Sequence, residues 1–345
     1  MNGKGRLAIY WAASCGGCEI AILSINEKIL DVAAAFDIVF CPCIMDVKTR
    51  DVEKMPDGHI DVCLFNGSIR TSEQEYMARL LRRKSRVLVA FGSCAHEGCI
   101  PALANLTRRD EIFAACYTDC PSADNAARVV PQPETRIDGM RLHLPVFYDT
   151  VRTLAQTVDV DYFLPGCPPE APRILDAINA IVAGRLPPKG AVIGAATTVC
   201  DECPRTRTEK KIRRFARTWQ VIPDEKTCLL EQGLVCCGPA TRAGCGALCP
   251  QVNSPCIGCY GPNAGEEDQG SRLMSALASV IDSNDPDEIQ RIIEEGIPDP
   301  VGTFYRFSLA HSMLRRAALV PDEQRVKLPL PAAGTAQTTG GEHGR

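Results

Sequence analysis

Nineteen cysteines in 345 residues constrain this chain more than any other feature. Each thiol must be oxidised, bound to metal or buried. Nine of them fall between Cys200 and Cys259, among Gly and Pro and with little hydrophobic periodicity. Such a segment cannot build a core from side chains alone, so metal is expected to supply its folding energy. Three uses of the thiols compete: disulfides, zinc and iron–sulfur clusters. Disulfides need an oxidising compartment and an export signal. Here Lys4 and Arg6 precede only the seven apolar residues Leu7 to Ala13 before Ser14-Cys15, the shortest stretch a signal can use. The odd cysteine count also fits full pairing poorly. The expectation is a cytoplasmic chain whose cysteines bind metal.

Composition narrows the partners. Basic residues number 38 against 42 acidic ones, for a net charge of −4. No large positive field is available to hold a phosphate backbone, so nucleic acid is not an expected partner. No run of 18 or more apolar residues occurs, so no membrane span is expected. At 45% apolar and 23% charged, the chain reads as globular, long enough for two domains or one with an appendage.

Residues 1–190 alternate strand-like and helix-like segments. Leu7-Ala8-Ile9-Tyr10-Trp11 reads as a buried strand ending in a turn through Cys15-Gly-Gly-Cys18. Ile22, Ile25, Ile29, Val32 and Phe36 recur at helical spacing. Ile38 to Phe40, Val62 to Phe65, Val87 to Phe91 and Tyr162 to Leu164 predict further strands. Ser72 and Glu75 suggest a capping box before the stripe Tyr76, Met77, Leu80 and Leu81. Ile174, Leu175, Ile178, Ile181 and Val182 mark one more helix face. Continuous apolar strands between amphipathic helices indicate an open parallel α/β sheet. The expected division is 1–190 for this α/β domain, 191–265 for an irregular cysteine-rich domain, 266–327 for C-terminal helices, and 328–345 for a disordered tail rich in Pro, Ala, Gly and Thr.

Cys15, Cys18, Cys94 and Cys167 all follow predicted strands, at the carboxyl crest where open α/β sheets place ligands. Four thiolates on one crest match the ligand set of a four-iron cluster, with a structural zinc as the alternative. Cys63, in mid-strand, reads as a small core hydrophobe, and Cys116 and Cys120 as loop thiols. Cys41 and Cys43 flank Pro42 and read as bystanders near the crest. Cys99, five residues beyond Cys94, is the spare thiol best placed to join the set.

In the second constellation, Cys200-x-x-Cys203 and Cys256-x-x-Cys259 lie at opposite ends. That spacing suggests one site from Cys200, Cys203, Cys228 and Cys236, and another from Cys245, Cys249, Cys256 and Cys259. The doublet Cys236-Cys237 leaves open which of its members ligates. Two zinc sites are the competing reading on spacing alone. A chain with one redox cluster, however, gains function from others lined up behind it.

Cys15-Gly-Gly-Cys18-Glu19, Gly92-Ser-Cys94-Ala, Pro165-Gly-Cys167-Pro-Pro and Pro255-Cys256-Ile-Gly-Cys259 together resemble the small, electron-transfer subunit of [NiFe] hydrogenases. The first three also resemble the related subunit of respiratory complex I, which stops at one cluster. Asp51-Val-Glu-Lys-Met-Pro-Asp-Gly, Cys228-Leu-Leu-Glu-Gln-Gly, Gly238-Pro-Ala-Thr-Arg-Ala-Gly-Cys245 and Gly302-Thr-Phe-Tyr-Arg-Phe bring the chain nearest the cytoplasmic, methyl-viologen-reducing type linked to heterodisulfide reductase. The resemblance implies a flavodoxin-like open parallel sheet and three [4Fe-4S] clusters. The proximal one would be on Cys15, Cys18, Cys94 and Cys167, the medial on Cys245, Cys249, Cys256 and Cys259, and the distal on Cys200, Cys203, Cys228 and Cys236. Membrane-linked relatives carry proline in place of Cys249, histidine in place of Cys200, and a twin-arginine leader. Glu19 would lie near a proton route; its plainer reading is a carboxylate at a helix N-terminus.

The resemblance further implies a [NiFe] hydrogenase large subunit as partner, a [2Fe-2S] delta-type subunit, and a flavin-containing heterodisulfide reductase subunit. Hydrogen would be split on the large subunit and electrons carried through this chain. Two other readings stand beside that one: the same three-cluster wire in a complex lacking hydrogenase activity, and a zinc-stabilised assembly module. Lys210, Lys211, Arg213, Arg214 and Arg217 read either as a solvated helix face or as a dock for an electron acceptor.

Overall fold

The computed structural model describes residues 3–208 and 211–314. The expected tail at 328–345, and Lys210 of the basic run, lie outside the described residues.

Strand β1 (Gly5–Trp11) buries Leu7, Ala8, Ile9 and Tyr10, as a continuous apolar strand covered on both faces must. The chain turns through Gly16 at φ +81 into helix α1 (Gly17–Leu23). Sequence periodicity predicts one helix reaching Phe36, but the structure breaks it. Asn26 adopts φ +55, a left-handed conformation that ends a helical run. Helix α2 (Ile29–Ala35) then stops where Phe36 opens strand β2 (Phe36–Phe40) and pairs beside Gly5.

Next come α3 (Thr49–Lys54), β3 (Ile60–Asn66), β4 (Ile69–Thr71) and α4 (Ser72–Lys84). The capping box of α4 lies one residue earlier than expected. Thr71 caps and Gln74 reciprocates, while Ser72 accepts from the Val146 amide at 2.9 Å. Glu75 is thereby released to bind Arg79, Tyr148 and Arg152. Strand β5 (Ser85–Phe91) leads into the short helix α5 (Ser93–Glu97).

The Pro-interrupted stretch holds structure that its composition hides. It contains α6 (Arg109–Phe113), a hairpin of β6 (Glu134–Ile137) and β7 (Met140–His143), and β8 (Phe147–Arg152), which pairs antiparallel with β4. Strand β9 (Tyr162–Leu164), helix α7 (Ala171–Val182) and the two-residue β10 (Ala191–Val192) complete this part.

The main sheet is parallel throughout, with order β10-β9-β5-β3-β1-β2. Its first five parallel strands follow the flavodoxin order, whose switch point lies between β1 and β3. One core, with Ile9, Ile22, Leu64 and Phe91, packs under α1, α2 and α7. The other, with Phe65, Met77, Leu81 and Leu88, packs under α4.

Beyond residue 195 regular structure is sparse: α8 (Val199–Glu202), α9 (Leu248–Gln251), α10 (Gln269–Ala278), α11 (Pro286–Gly296) and α12 (Pro300–Phe304). Here Leu273, Leu277, Ile292, Phe304 and Tyr305 cover Cys236, Cys237 and Cys256 in one core. The cysteine-rich segment therefore borrows apolar cover from the helices that follow it. The basic run is not a helix face. Residues 211–217 form an irregular segment in which Ile212, Phe215 and Ala216 turn inward and Arg213, Arg214 and Arg217 outward. Among the described residues no helix is long and apolar enough to cross a membrane.

Candidate metal centres

The crest of the parallel sheet gathers the first group of thiols. Cys15 lies in the loop after β1, and Cys18 sits on the first turn of α1, buried at 6% exposure. The Gly17 amide donates to Cys15 Sγ at 3.4 Å. Cys94 lies on α5, after β5. Cys167 follows β9, where Gly92 donates to the Leu164 carbonyl and Ser93 to that of Gly166, each at 2.8 Å. Gly92 itself admits no side chain: at φ +84, a Cβ there would stand 2.4 Å from Cys18 Sγ. That contact brings the end of β5 against α1. Burial raises the Cys18 thiol, and the negative charges of Glu19, Cys167, Cys15 and Cys99 raise it further. The structure thus brings Cys15, Cys18, Cys94 and Cys167 together and adds Cys99, whose Sγ is 3.8 Å from Cys167 Sγ.

Glu19 stands at the same crest, half-buried. Both its carboxylate oxygens accept from Asn66 Nδ2 at 2.8 Å, and Asn66 also reaches Ser14 Oγ at 2.8 Å. Asn66 closes β3 at the switch point and is fully buried. Burial is the main cause of the raised Cys41 and Cys43 thiols, with the Glu19 carboxylate adding to it, so this pair approaches the crest from β2. Cys63 is wholly buried in the sheet, while Cys116 is exposed and Cys120 half-exposed.

The second group lines one cavity. Cys200, Cys203, Cys228 and Cys236 all face it, with Val199, Leu229 and Pro250 as its apolar wall. An adjoining cavity of about 420 Å³ shares Cys200, Cys228 and Cys236 and runs to Arg272 and Ser275 on α10. Burial and the neighbouring Cys236 raise the Cys200 thiol to about 12, with Cys228 and Cys203 adding to it. Burial likewise raises Cys236, to about 11, against amide hydrogen bonds from Gly238 and Cys256. The Cys256 amide lies 3.3 Å from Cys236 Sγ. Cys237 does not line this cavity. It is buried towards Cys259 and Arg306, and its amide donates to the Cys256 carbonyl at 2.8 Å.

The third group lies between the other two. Burial, the charge of Cys245, and those of Cys167 and Cys249 hold the Cys259 thiol at about 12, and Cys259 in turn bears on Cys256. Ser93 Oγ on α5 donates to the Cys259 carbonyl, and the buried Tyr260 hydroxyl donates to Glu170 beside Cys167. These contacts tie the third group to the first.

Two positioning residues escape sequence reasoning. Glu202 Oε2 accepts from the Gly244 and Gly246 amides, at 3.0 and 2.9 Å, fixing the turn that presents Cys245. Arg205, 6% exposed, donates to the carbonyls of Pro250, Asp224 and Thr227 and to Asn253 Oδ1. The only trace of either in the sequence is its place beside Cys203.

Among the described residues, no three His, Cys, Asp or Glu side chains close onto a point that would hold a single metal ion. The thiols of the second group line two adjoining cavities, with the Cys256 amide on Cys236 Sγ, a soft sulfur donor set of the kind that holds iron–sulfur clusters or zinc.

Residues 15–181 match the family model described as NADH ubiquinone oxidoreductase, 20 Kd subunit. The chain is 39% identical to the iron-sulfur subunit of the F420-non-reducing hydrogenase of Archaeoglobus profundus over 318 residues, which cover 90% of this chain and 98% of that one. It is 34% identical to a subunit of the F420-non-reducing hydrogenase of Methanothermobacter marburgensis over 329 residues, 93% of this chain and 97% of that one. Among solved structures, a chain of an NAD+-reducing [NiFe]-hydrogenase aligns with a TM-score of 0.47 at 29% identity, covering 54% of this chain and 94% of that one.

Proposed function

From the premise that this chain belongs to the small-subunit family of [NiFe] hydrogenases, and so is an electron-transfer component of an oxidoreductase complex, we propose that it carries electrons through three [4Fe-4S] clusters. The observation that carries the reading is the sorting of its cysteines into adjoining groups. Cys15, Cys18, Cys94 and Cys167 would hold the proximal cluster, Cys245, Cys249, Cys256 and Cys259 the medial, and Cys200, Cys203, Cys228 and Cys236 the distal. The clusters, when bound, supply one-electron chemistry at potentials set by hydrogen bonds, burial and nearby charge.

The chain's own residues set those conditions. Amides of Gly17, Gly238 and Cys256 point at ligand sulfurs. Arg205 and Glu202 fix the loops that present Cys249 and Cys245. Glu19, held by Asn66, would stand beside Cys18 on a proton route at the crest. A large subunit bearing the Ni–Fe site would cover the crest, where Cys15 and Cys167 are exposed. The distal thiols would face a [2Fe-2S] delta-type subunit and the flavin-containing subunit of a heterodisulfide reductase, in the cytoplasm.

The test is the metal and acid-labile sulfide content of the complex purified anaerobically from its host. The reading expects about twelve irons and twelve sulfides on this chain, after subtraction of the partners, and about one nickel per complex. The same iron without nickel would keep the wire and remove the hydrogenase. Zinc in place of iron would overturn both.

A further inference from the structure

We propose that the loop 217–223, with Val252 beside it, is the surface on which an acidic electron-accepting protein docks next to the distal thiols. The proposal rests on the reading of Cys200, Cys203, Cys228 and Cys236 as the distal cluster site, and it names where electrons leave that site.

Three observations carry it. The first is an apolar tip. Ile222, Trp219 and Val252 are 97%, 80% and 76% exposed, the three most exposed large apolar side chains among the described residues. Asn253, next to Val252, donates from Nδ2 to the Pro223 carbonyl at 2.8 Å, and Arg205 donates to both Asn253 Oδ1 and the Asp224 carbonyl. These bonds join the two segments that carry the apolar side chains. Single exposed apolar residues need no explanation, but a group of them rimmed by charge marks a protein-binding surface.

The second observation is that the loop is anchored on both sides. The Ala216 amide donates to the Gly233 carbonyl at 2.8 Å, the Arg217 amide to Gln220 Oε1 at 2.9 Å, and the Asp224 amide to Gln232 Oε1 at 2.8 Å. Val221 packs inward against Ala216, Leu229 and Leu234. A tryptophan on such a loop gives up little conformational entropy when a partner covers it. Leu229 is itself part of the wall of the distal cavity, so Val221 and Leu229 connect the loop to the thiols.

The third observation is charge. Residues 205–226 carry eight basic and three acidic side chains, in a chain whose net charge is −4. Arg213, Arg214 and Arg217 point outward. Arg213 pairs with Asp282, whereas no carboxylate among the described residues pairs with Arg214 or Arg217. Asp224 directs its carboxylate to the amides of Lys226 and Thr227. The complementary partner presents carboxylates around an apolar pocket, and their attraction steers its approach.

The experiment is anaerobic purification of the complete complex through a tag on this chain, carrying Trp219→Ala, Ile222→Ala or the pair Arg214→Glu and Arg217→Glu. Quantitative mass spectrometry reads the ratio of the [2Fe-2S] subunit to this chain as salt is raised. At fixed salt, retention of the [2Fe-2S] subunit should fall about tenfold or more in Trp219→Ala, the behaviour of a buried aromatic anchor. Ile222→Ala should lower it in the same direction, so misfolding of one variant does not decide the matter. The arginine pair should lower retention and flatten its dependence on salt. Iron and sulfide on this chain, and reduction of its distal cluster under H2, should not change. Undiminished retention in all three variants would overturn the proposal. Loss of the large subunit in place of the [2Fe-2S] subunit, or a complex of half the native mass, would overturn it by assigning the loop to another interface. Absence of any distal signal in the native complex would instead sink the reading of the cluster site itself.

Discussion

At the scale of single residues, the two members of the Cys236-Cys237 doublet divide. Backbone alternation sends adjacent side chains to different sides, so one sulfur faces the cavity shared with Cys200 and the other faces Cys259 and Arg306. Cys236→Ala should therefore remove about four irons per chain and the distal EPR signal, whereas Cys237→Ala should keep both; equal losses would contradict the division. Gly92 is constrained in a different way. A Cβ at that position would meet Cys18 Sγ at 2.4 Å, on backbone at φ +84. Gly92→Ala should cost about 2 kcal/mol or more and displace Cys18. Iron content and thermal unfolding of the purified variant check this, and native values for both would refute it.

At the scale of elements, α4 is fastened to β8 by Glu75. Burial raises its carboxyl, but hydrogen bonds from Arg79 and Arg152, the Arg152 charge and the Tyr148 hydroxyl overcome it and bring it to about 2. A carboxyl lowered in the fold stabilises above its unfolded value, about 4.3, and that contribution disappears as pH falls through about 2. With solvent screening, the contribution is about 1–2 kcal/mol. Glu75→Gln should lower the melting temperature at pH 7, and the gap to the native protein should narrow as the pH is taken below about 4. A gap that does not change with pH would assign the loss to packing. This link was legible only in part. Sequence alone places Glu75 in a capping box, but Thr71 and Gln74 take that role because the Val146 amide claims Ser72.

At the scale of the whole molecule, the sheet and the cysteine-rich segment rest on different physics. The sheet has apolar cores on both faces. The segment 191–265, which we propose to be a unit of its own, has sparse regular structure and borrows cover from α10 to α12. Seams join the two through Ser93 to Cys259 and Tyr260 to Glu170, and Gln156 binds the Ala310 carbonyl beyond the segment at 2.8 Å. Anaerobic chelation of iron should raise amide hydrogen exchange across residues 199–260 first, with β1, β3 and β5 staying protected. Uniform loss of protection would mean that the clusters hold the sheet together as well.

The sequence by itself determined the parallel α/β architecture, because runs such as Leu7 to Trp11 and Val87 to Phe91 have no polar face and must be covered on both sides. It also marked the cysteines that end at the crest, because each follows a strand. Tertiary structure decided the rest. The pairing of β4 with β8 rests on long-range hydrogen bonds that leave no local period, whereas the hairpin at 134–143 closes locally through the Asp138-Gly139 turn. Cys236 turns towards the cavity shared with Cys200 and Cys237 towards Cys259, a division that depends on which backbone groups meet which residue. The placing of Cys99 beside Cys167 required a strained backbone held by Phe307, more than two hundred residues away in the chain. Local pattern specifies which face of an element is apolar; only packing specifies which sulfurs meet.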